Sequence, residues 1–208
     1  LDEHLLLTLP HRQFVFTLPK AFRVFLRYDQ RLFGLISRLI FSLITEFYSA
    51  AAAKPISSAA ILAYQPFGDA LRLNPHFHAL ILEGGFDPNG QFYFLPIHDT
   101  ARLTQLLRQR TVGLFLNIGC ITGPPLGHPC PRRPSAIRGQ KQFSETLLCW
   151  RHSGFSVDNS VRLDEADHTA RQALAQYIAR APLSLQKLTC DRSGGKVPFH
   201  TSYNPYFR

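Results

Sequence analysis

NPHFHALILEGG, residues 74–85, is the stretch on which the reading of this chain turns. Two histidines, His76 and His78, stand one residue apart at the head of an apolar run. In a β-strand alternate side chains share a face, so a strand here aims both imidazoles one way and sends Phe77 to the other side. That geometry suits the grip of a metal ion. The spacing also arises from composition. With 9 histidines in 208 residues, a shuffled chain holds about 0.4 such pairs. The surroundings of the pair therefore have to decide its meaning.

Those surroundings alternate between strand and helix signals. Residues 13–18 (QFVFTL) are rich in β-formers and closed by Pro19. From 20 to 53 apolar residues recur at helical spacing (Phe22, Phe25, Leu26, Leu32, Leu35, Ile36, Leu39), which predicts one long helix or two, ended by Pro55. Residues 58–65 and 77–82 read as two strands joined by a turn-like stretch, 68–75. Gly84, Gly85 and then Asp87-Pro88-Asn89-Gly90 predict a turn before a strand at 91–95. Residues 100–118 predict a helix. The stretch 122–138 is rich in Pro, Gly and Arg and lacks periodicity, so an irregular basic loop is expected over 122–144. Residues 154–163 have strand character. Asp164 can cap a helix over 165–180, which Pro182 stops. There is no internal repeat and no signal for a second domain. The expected fold class is α+β: an antiparallel sheet with the histidine strand near its centre, flanked by helices.

Bulk properties narrow the partner. Hydrophobic residues make up 45% of the chain, enough for a sizeable core. The formal net charge is +9 and the pI about 9.8, a balance that favours an anionic partner, most commonly nucleic acid. The bland alternative is a basic surface that only confers solubility. Four cysteines, Cys120, Cys130, Cys149 and Cys190, form no C-x-x-C pair, which argues against a zinc finger and for reduced thiols in a cytoplasm. Arg38 and Glu46 interrupt the apolar stretch 32–53, so it is expected as a buried helix rather than a membrane span. The chain holds no methionine and opens on Leu1, as a fragment or an open reading frame without an ordinary start would.

The remaining chemistry lies downstream. The expected helix 165–180 carries Tyr177, with Arg180 three residues on and so on one helix face. A tyrosine beside a cation, with a metal held by two histidines, is a coherent nucleophilic site. The phenol, with a pKa near 10, must be favoured as phenolate, and a metal can polarise a phosphate for in-line attack. On composition alone, Tyr177 shares an apolar stripe with Ala166, Ala170, Ala173 and Leu174, and Arg180 suits a helix C-terminus.

At these residues the chain resembles the HUH-type, rolling-circle insertion-sequence transposases, specifically the IS-ninety-one-like family. The segments that carry the resemblance are HRQFVFTLPK (11–20), FGDALRLNPHFHALILEGGF (67–86), WRHSGFSVDNSVRL (150–163) and QALAQYIARAPLSLQKL (172–188). The joint presence of NPHFHAL and WRHSGFSV with YIARAPLS is what makes it specific. The resemblance implies a single catalytic domain over 11–208, with 1–10 as the remnant of a cysteine-rich N-terminal region. It implies a divalent metal, Mg²⁺ or Mn²⁺, on His76 and His78, with Tyr177 as nucleophile and Arg180 as its neighbouring cation. Many relatives have a second tyrosine four residues earlier, where this chain has Ala173, so it resembles a single-tyrosine, truncated member.

The implied activity is cleavage and rejoining of single-stranded DNA through a covalent 5′-phosphotyrosine. The implied partner is single-stranded or hairpin DNA at element ends, with no membrane partner. The implied location is the bacterial cytoplasm, at the nucleoid during action. Magnesium prefers oxygen donors, so a third ligand is expected near the histidines: Gln65 on the neighbouring strand, with Asp69 next. Arg151 and His152 of the matched WRH segment and Arg132, Arg133 and Arg138 of the basic loop are the expected DNA contacts. Two other classes fit the same residues. One is a DNA-binding remnant of such an enzyme that no longer cuts; the other is a metal-independent nucleic-acid-binding domain with incidental histidines.

Overall fold

The computed structural model describes residues 7–67, 73–120, 154–163, 168–179, 189–190 and 194–198. The chain starts with strand β1 (His11–Thr17), helix α1 (Lys20–Tyr28) and helix α2 (Arg31–Ala52). Strands β2 (Ala60–Phe67), β3 (Leu73–Leu82), β4 (Gly84–Phe86) and β5 (Phe92–Phe94) come next, then helix α3 (Ala101–Asn117). Strands β6 (Ser156–Asp158) and β7 (Arg162–Leu163) lead to helix α4 (His168–Ala179). The main sheet has five strands in the order β2-β3-β1-β6, with β7 also on β1, and every pairing is antiparallel. The fold is α+β, with the histidine strand inside the sheet.

Alternation along the strands divides the core in two. Phe14 and Phe16 of β1, Phe77, Ala79 and Ile81 of β3, and Leu62 and Tyr64 of β2 join one cluster with the first three helices. Phe22 meets Phe115 edge-on at 4.6 Å between ring centroids, which locks α1 to α3. The opposite sheet face belongs to a smaller cluster, in which Leu80 and Leu163 pack with Leu174 of α4, and Ile61, Ala63 and Ala170 lie against them. Helices thus cover both faces, and α4 has the second one.

Local chemistry sets the element boundaries, some as the sequence predicts and some not. The helical stretch 20–53 is two helices because Asp29 is extended and its carboxylate accepts the Arg31 backbone N–H at 3.0 Å, starting a new helix. α2 stops at Ala53, which is left-handed at φ 52, just before Pro55. By length and composition α2 could cross a membrane, but its Leu32, Ile36, Ile40, Leu43, Ile44 and Tyr48 face is buried in the core. β3 begins at Leu73, so residues 73–75 are strand rather than turn. Pro66 falls where the β2–β3 register shifts, which the edge position of β2 allows.

Gly84 and Gly85 are not the turn either. They form β4, which pairs with β5, and the turn is Asp87–Gly90. A side chain at Gly84 (φ +137) would stand 1.9 Å from the Tyr93 carbonyl oxygen, and one at Gly85 would stand 2.4 Å from that of Ser57. The glycines are there for close backbone approach.

Candidate functional site

The ladder fixes where the histidines point. Across β3, His76 stands opposite Gln65 on β2 and Thr17 on β1, and His78 stands opposite Ala63 and Val15. Phe77 goes to the helix side with Phe14 and Phe16, so both imidazoles occupy the face that α4 covers. Their ring centroids are 4.8 Å apart, with planes at 69°. His76 is half-buried. His78 is only 3% exposed, because β3 is flanked on both sides; it is a core residue and not an edge one.

Each ring has its Nδ1 engaged. The Nδ1 of His76 lies 2.6 Å from the Asn74 carbonyl oxygen, to which it can only donate, leaving Nε2 as the lone-pair nitrogen. The Nδ1 of His78 lies 3.0 Å from the side-chain amide of the buried Gln13. As oriented, the Gln13 amide nitrogen donates to His78 Nδ1 and so assigns the ring proton to Nε2; turning the amide over reverses the bond and makes the Nε2 lone pair available to a cation. Burial, then the nearby His76, push the His78 pKa down to about 4, so the ring is neutral and ligand-competent at pH 7. The donor set fits a divalent ion bound through two imidazoles. No group of three His, Cys, Asp or Glu occurs among the described residues. A third described donor must therefore be an amide or hydroxyl, and Gln65 and Thr17 flank His76 in the ladder. Asp69 lies outside the described residues.

The structure adds two residues that the motif reading gave no role, Gln13 on this face and Glu83, which by strand alternation follows Ala79 and Ile81 on the opposite one. The alternation of QFVFT puts Gln13 on the histidine side, and a buried amide on a strand was its signal. Glu83 is fully buried just past β3, and its two oxygens accept from Arg12 Nε at 2.6 Å and Arg162 Nε at 2.8 Å. Arg12 also donates to the Asn159 carbonyl. The carboxylate thereby clamps β1 and β7, and β7 leads to α4.

Tyr177 lies within α4, the helix that also bears Leu174 and Ala170. Both of those residues pack on the histidine side of the sheet. Arg180, Arg151, His152, Arg132, Arg133 and Arg138 lie outside the described residues. Tyr64, the other tyrosine near the motif, is on the wrong side. It packs against Phe33 with ring centroids 3.6 Å apart, and burial raises its pKa to about 12.

A family model described as "Putative transposase" matches residues 60–204, more than half of the chain and the whole span from β2 through α4. No curated protein and no solved structure matches the chain.

Proposed function

The chain belongs to that transposase family, and from this premise we propose that it is a single-tyrosine, HUH-type transposase of the IS-ninety-one-like group. On this reading it nicks and rejoins single-stranded or hairpin DNA. What supports the reading is one arrangement: His76 and His78 share a sheet face, and the helix that carries Tyr177 is packed on that same face through Ala170 and Leu174.

In the reaction, the Tyr177 oxygen attacks the scissile phosphorus in line. The bond from phosphorus to the 3′ oxygen breaks, the 3′ oxygen takes up a proton, and the 5′ phosphate stays esterified to the tyrosine. Attack by a 3′ hydroxyl on that ester reverses the step, so rejoining needs no nucleotide cofactor. His76, His78 and Gln65 would hold a divalent ion, Mg²⁺ or Mn²⁺, which when bound would polarise the phosphate. Burial keeps the His78 ring neutral, a Gln13 amide turned with its oxygen inward makes that ring's Nε2 available, and the Nδ1 contacts hold both rings in place. Arg180 offsets charge developing on the phosphate. Arg151, His152, Arg132, Arg133 and Arg138 hold the strand. Ala173 stands where a second nucleophile would be, so one covalent link forms per chain.

The test is covalent trapping. Incubation with single-stranded oligonucleotides and Mn²⁺ should give a denaturant-stable adduct that mass spectrometry maps to QYIAR, residues 176–180. Tyr177→Phe should abolish the adduct while keeping fold and DNA binding, and Arg180→Ala should slow it by roughly thirtyfold to a thousandfold. An adduct that survives in Tyr177→Phe would refute the assignment. DNA binding with no adduct on any substrate or metal would leave the non-cutting remnant.

A further inference from the structure

The arginines expected to hold DNA come from the WRH segment and the basic loop. Helix α1, which lies ahead of the stretch matched by the family model, carries a second basic surface. In KAFRVFLRY, Lys20, Arg23 and Arg27 recur at i, i+3 and i+7 and so share one face. Phe22, Phe25 and Leu26 are buried on the opposite face. Lys20 and Arg27 are exposed, and the helix holds no acidic residue. The nearest acid, Asp29, is already neutralised by Arg31 through bonds of 2.9 and 2.8 Å. At the end of this face Tyr28 is 56% exposed, with the Arg27 guanidinium 5.6 Å from its ring centroid. An exposed phenol ring beside a row of cations is an unusual use of an aromatic residue in a helix whose other aromatics are all buried.

Two separate features tie this helix, whose body packs on the other side of the sheet, to the end of the strands that bears His76. The ladder pairs Thr17 with His76, and α1 begins three residues after Thr17. Arg23 then reaches back to β3, donating to the Leu73 carbonyl at 2.9 Å and to the Asn74 side-chain oxygen. Asn74 is the residue whose carbonyl accepts from His76. The basic row therefore starts at the histidine end of the sheet and runs outward.

We infer that the Lys20–Arg23–Arg27 face of α1 is a track for the sugar-phosphate backbone of single-stranded DNA on its way to the histidine face, with Tyr28 stacking on a base. This rests on the proposed function for its choice of ligand. Cations that follow a backbone, with an interleaved aromatic, bind single strands without sequence preference. The Lys20 and Arg27 charges meet phosphates, and Arg23 fixes the track to the strand that bears the imidazoles.

The experiment is binding of a fluorescent oligo-dT strand by anisotropy across a salt series, on the whole chain without added metal. The pair Lys20→Gln/Arg27→Gln should weaken binding about tenfold or more and make the salt slope shallower by about 1.4, two single-strand phosphate contacts. Arg102→Gln/Arg110→Gln removes the same charge from α3 and should leave affinity and slope near those of the unmodified chain. Tyr28→Ala should cost roughly fivefold to a hundredfold on the single strand and leave duplex binding unchanged. Mn²⁺ affinity, read by calorimetry, should be the same in all of these variants. Unaltered affinity in the α1 pair, or equal losses in the two pairs, overturns the track. If the unmodified chain forms the Tyr177 adduct while the α1 pair binds normally, the track fails and the proposed function stands. If the unmodified chain binds no single strand, both fail.

Discussion

His78 has its Nδ1 against the Gln13 amide at 3.0 Å, deep between two neighbouring strands. This contact decides which imidazole nitrogen can meet a cation. Replacing Gln13 with leucine keeps the volume and removes the partner. Mn²⁺ affinity should then fall about tenfold to a hundredfold, the usual cost of losing a hydrogen bond behind a ligand. Nitrogen chemical shifts of the His78 ring should show a changed tautomer population in the same variant, and Gln13→Glu, which can only accept from Nδ1–H, should recover the affinity. Unchanged shifts and affinity would reduce Gln13 to packing. Because His78 is buried, His78→Ala should lower stability as well as abolish the site, whereas half-exposed His76→Ala should mainly remove Mn²⁺ binding.

At the scale of elements, Glu83 is the joint that fixes β7 relative to β1 and β3. Its carboxylate is fully buried between two guanidiniums, so its removal leaves Arg12 facing a void with its charge uncompensated. Glu83→Ala should cost about 3–5 kcal/mol in denaturant unfolding, the range for a broken buried pair. Arg162 is less enclosed, with a side chain 44% exposed, so Arg162→Ala should cost much less. Since Arg162 lies just ahead of α4, that variant should still lower the adduct yield, by loosening the approach of the tyrosine helix to the sheet. A stability loss for Arg162→Ala as large as that for Glu83→Ala would show that the clamp is not centred on the carboxylate.

Over the whole molecule, the antiparallel sheet divides labour between its faces: one is packed by α1, α2 and α3, the other holds the imidazoles under α4. A cation that binds only this folded face must stabilise the fold by mass action. Mn²⁺ at a hundredfold excess over its Kd should add about 2.7 kcal/mol and raise Tm, an increase that His76→Ala should lose. An equal rise in that variant would place the ion elsewhere. Alternation and turn residues are local properties, so the sequence by itself determined β1, β3, the helices and the shared direction of His76 and His78. Strand pairing read from the sequence likewise placed Gln65 beside the histidine strand. Contacts between distant segments are not written in any local pattern. Only the tertiary structure decided that Gln13 meets His78, that Glu83 is buried between Arg12 and Arg162, that Tyr64 faces away from the imidazoles and that α4 lies on their side. The physical reason is that strand pairing fixes which residues become neighbours, and a shift of one residue in that register would have turned every side chain to the other face.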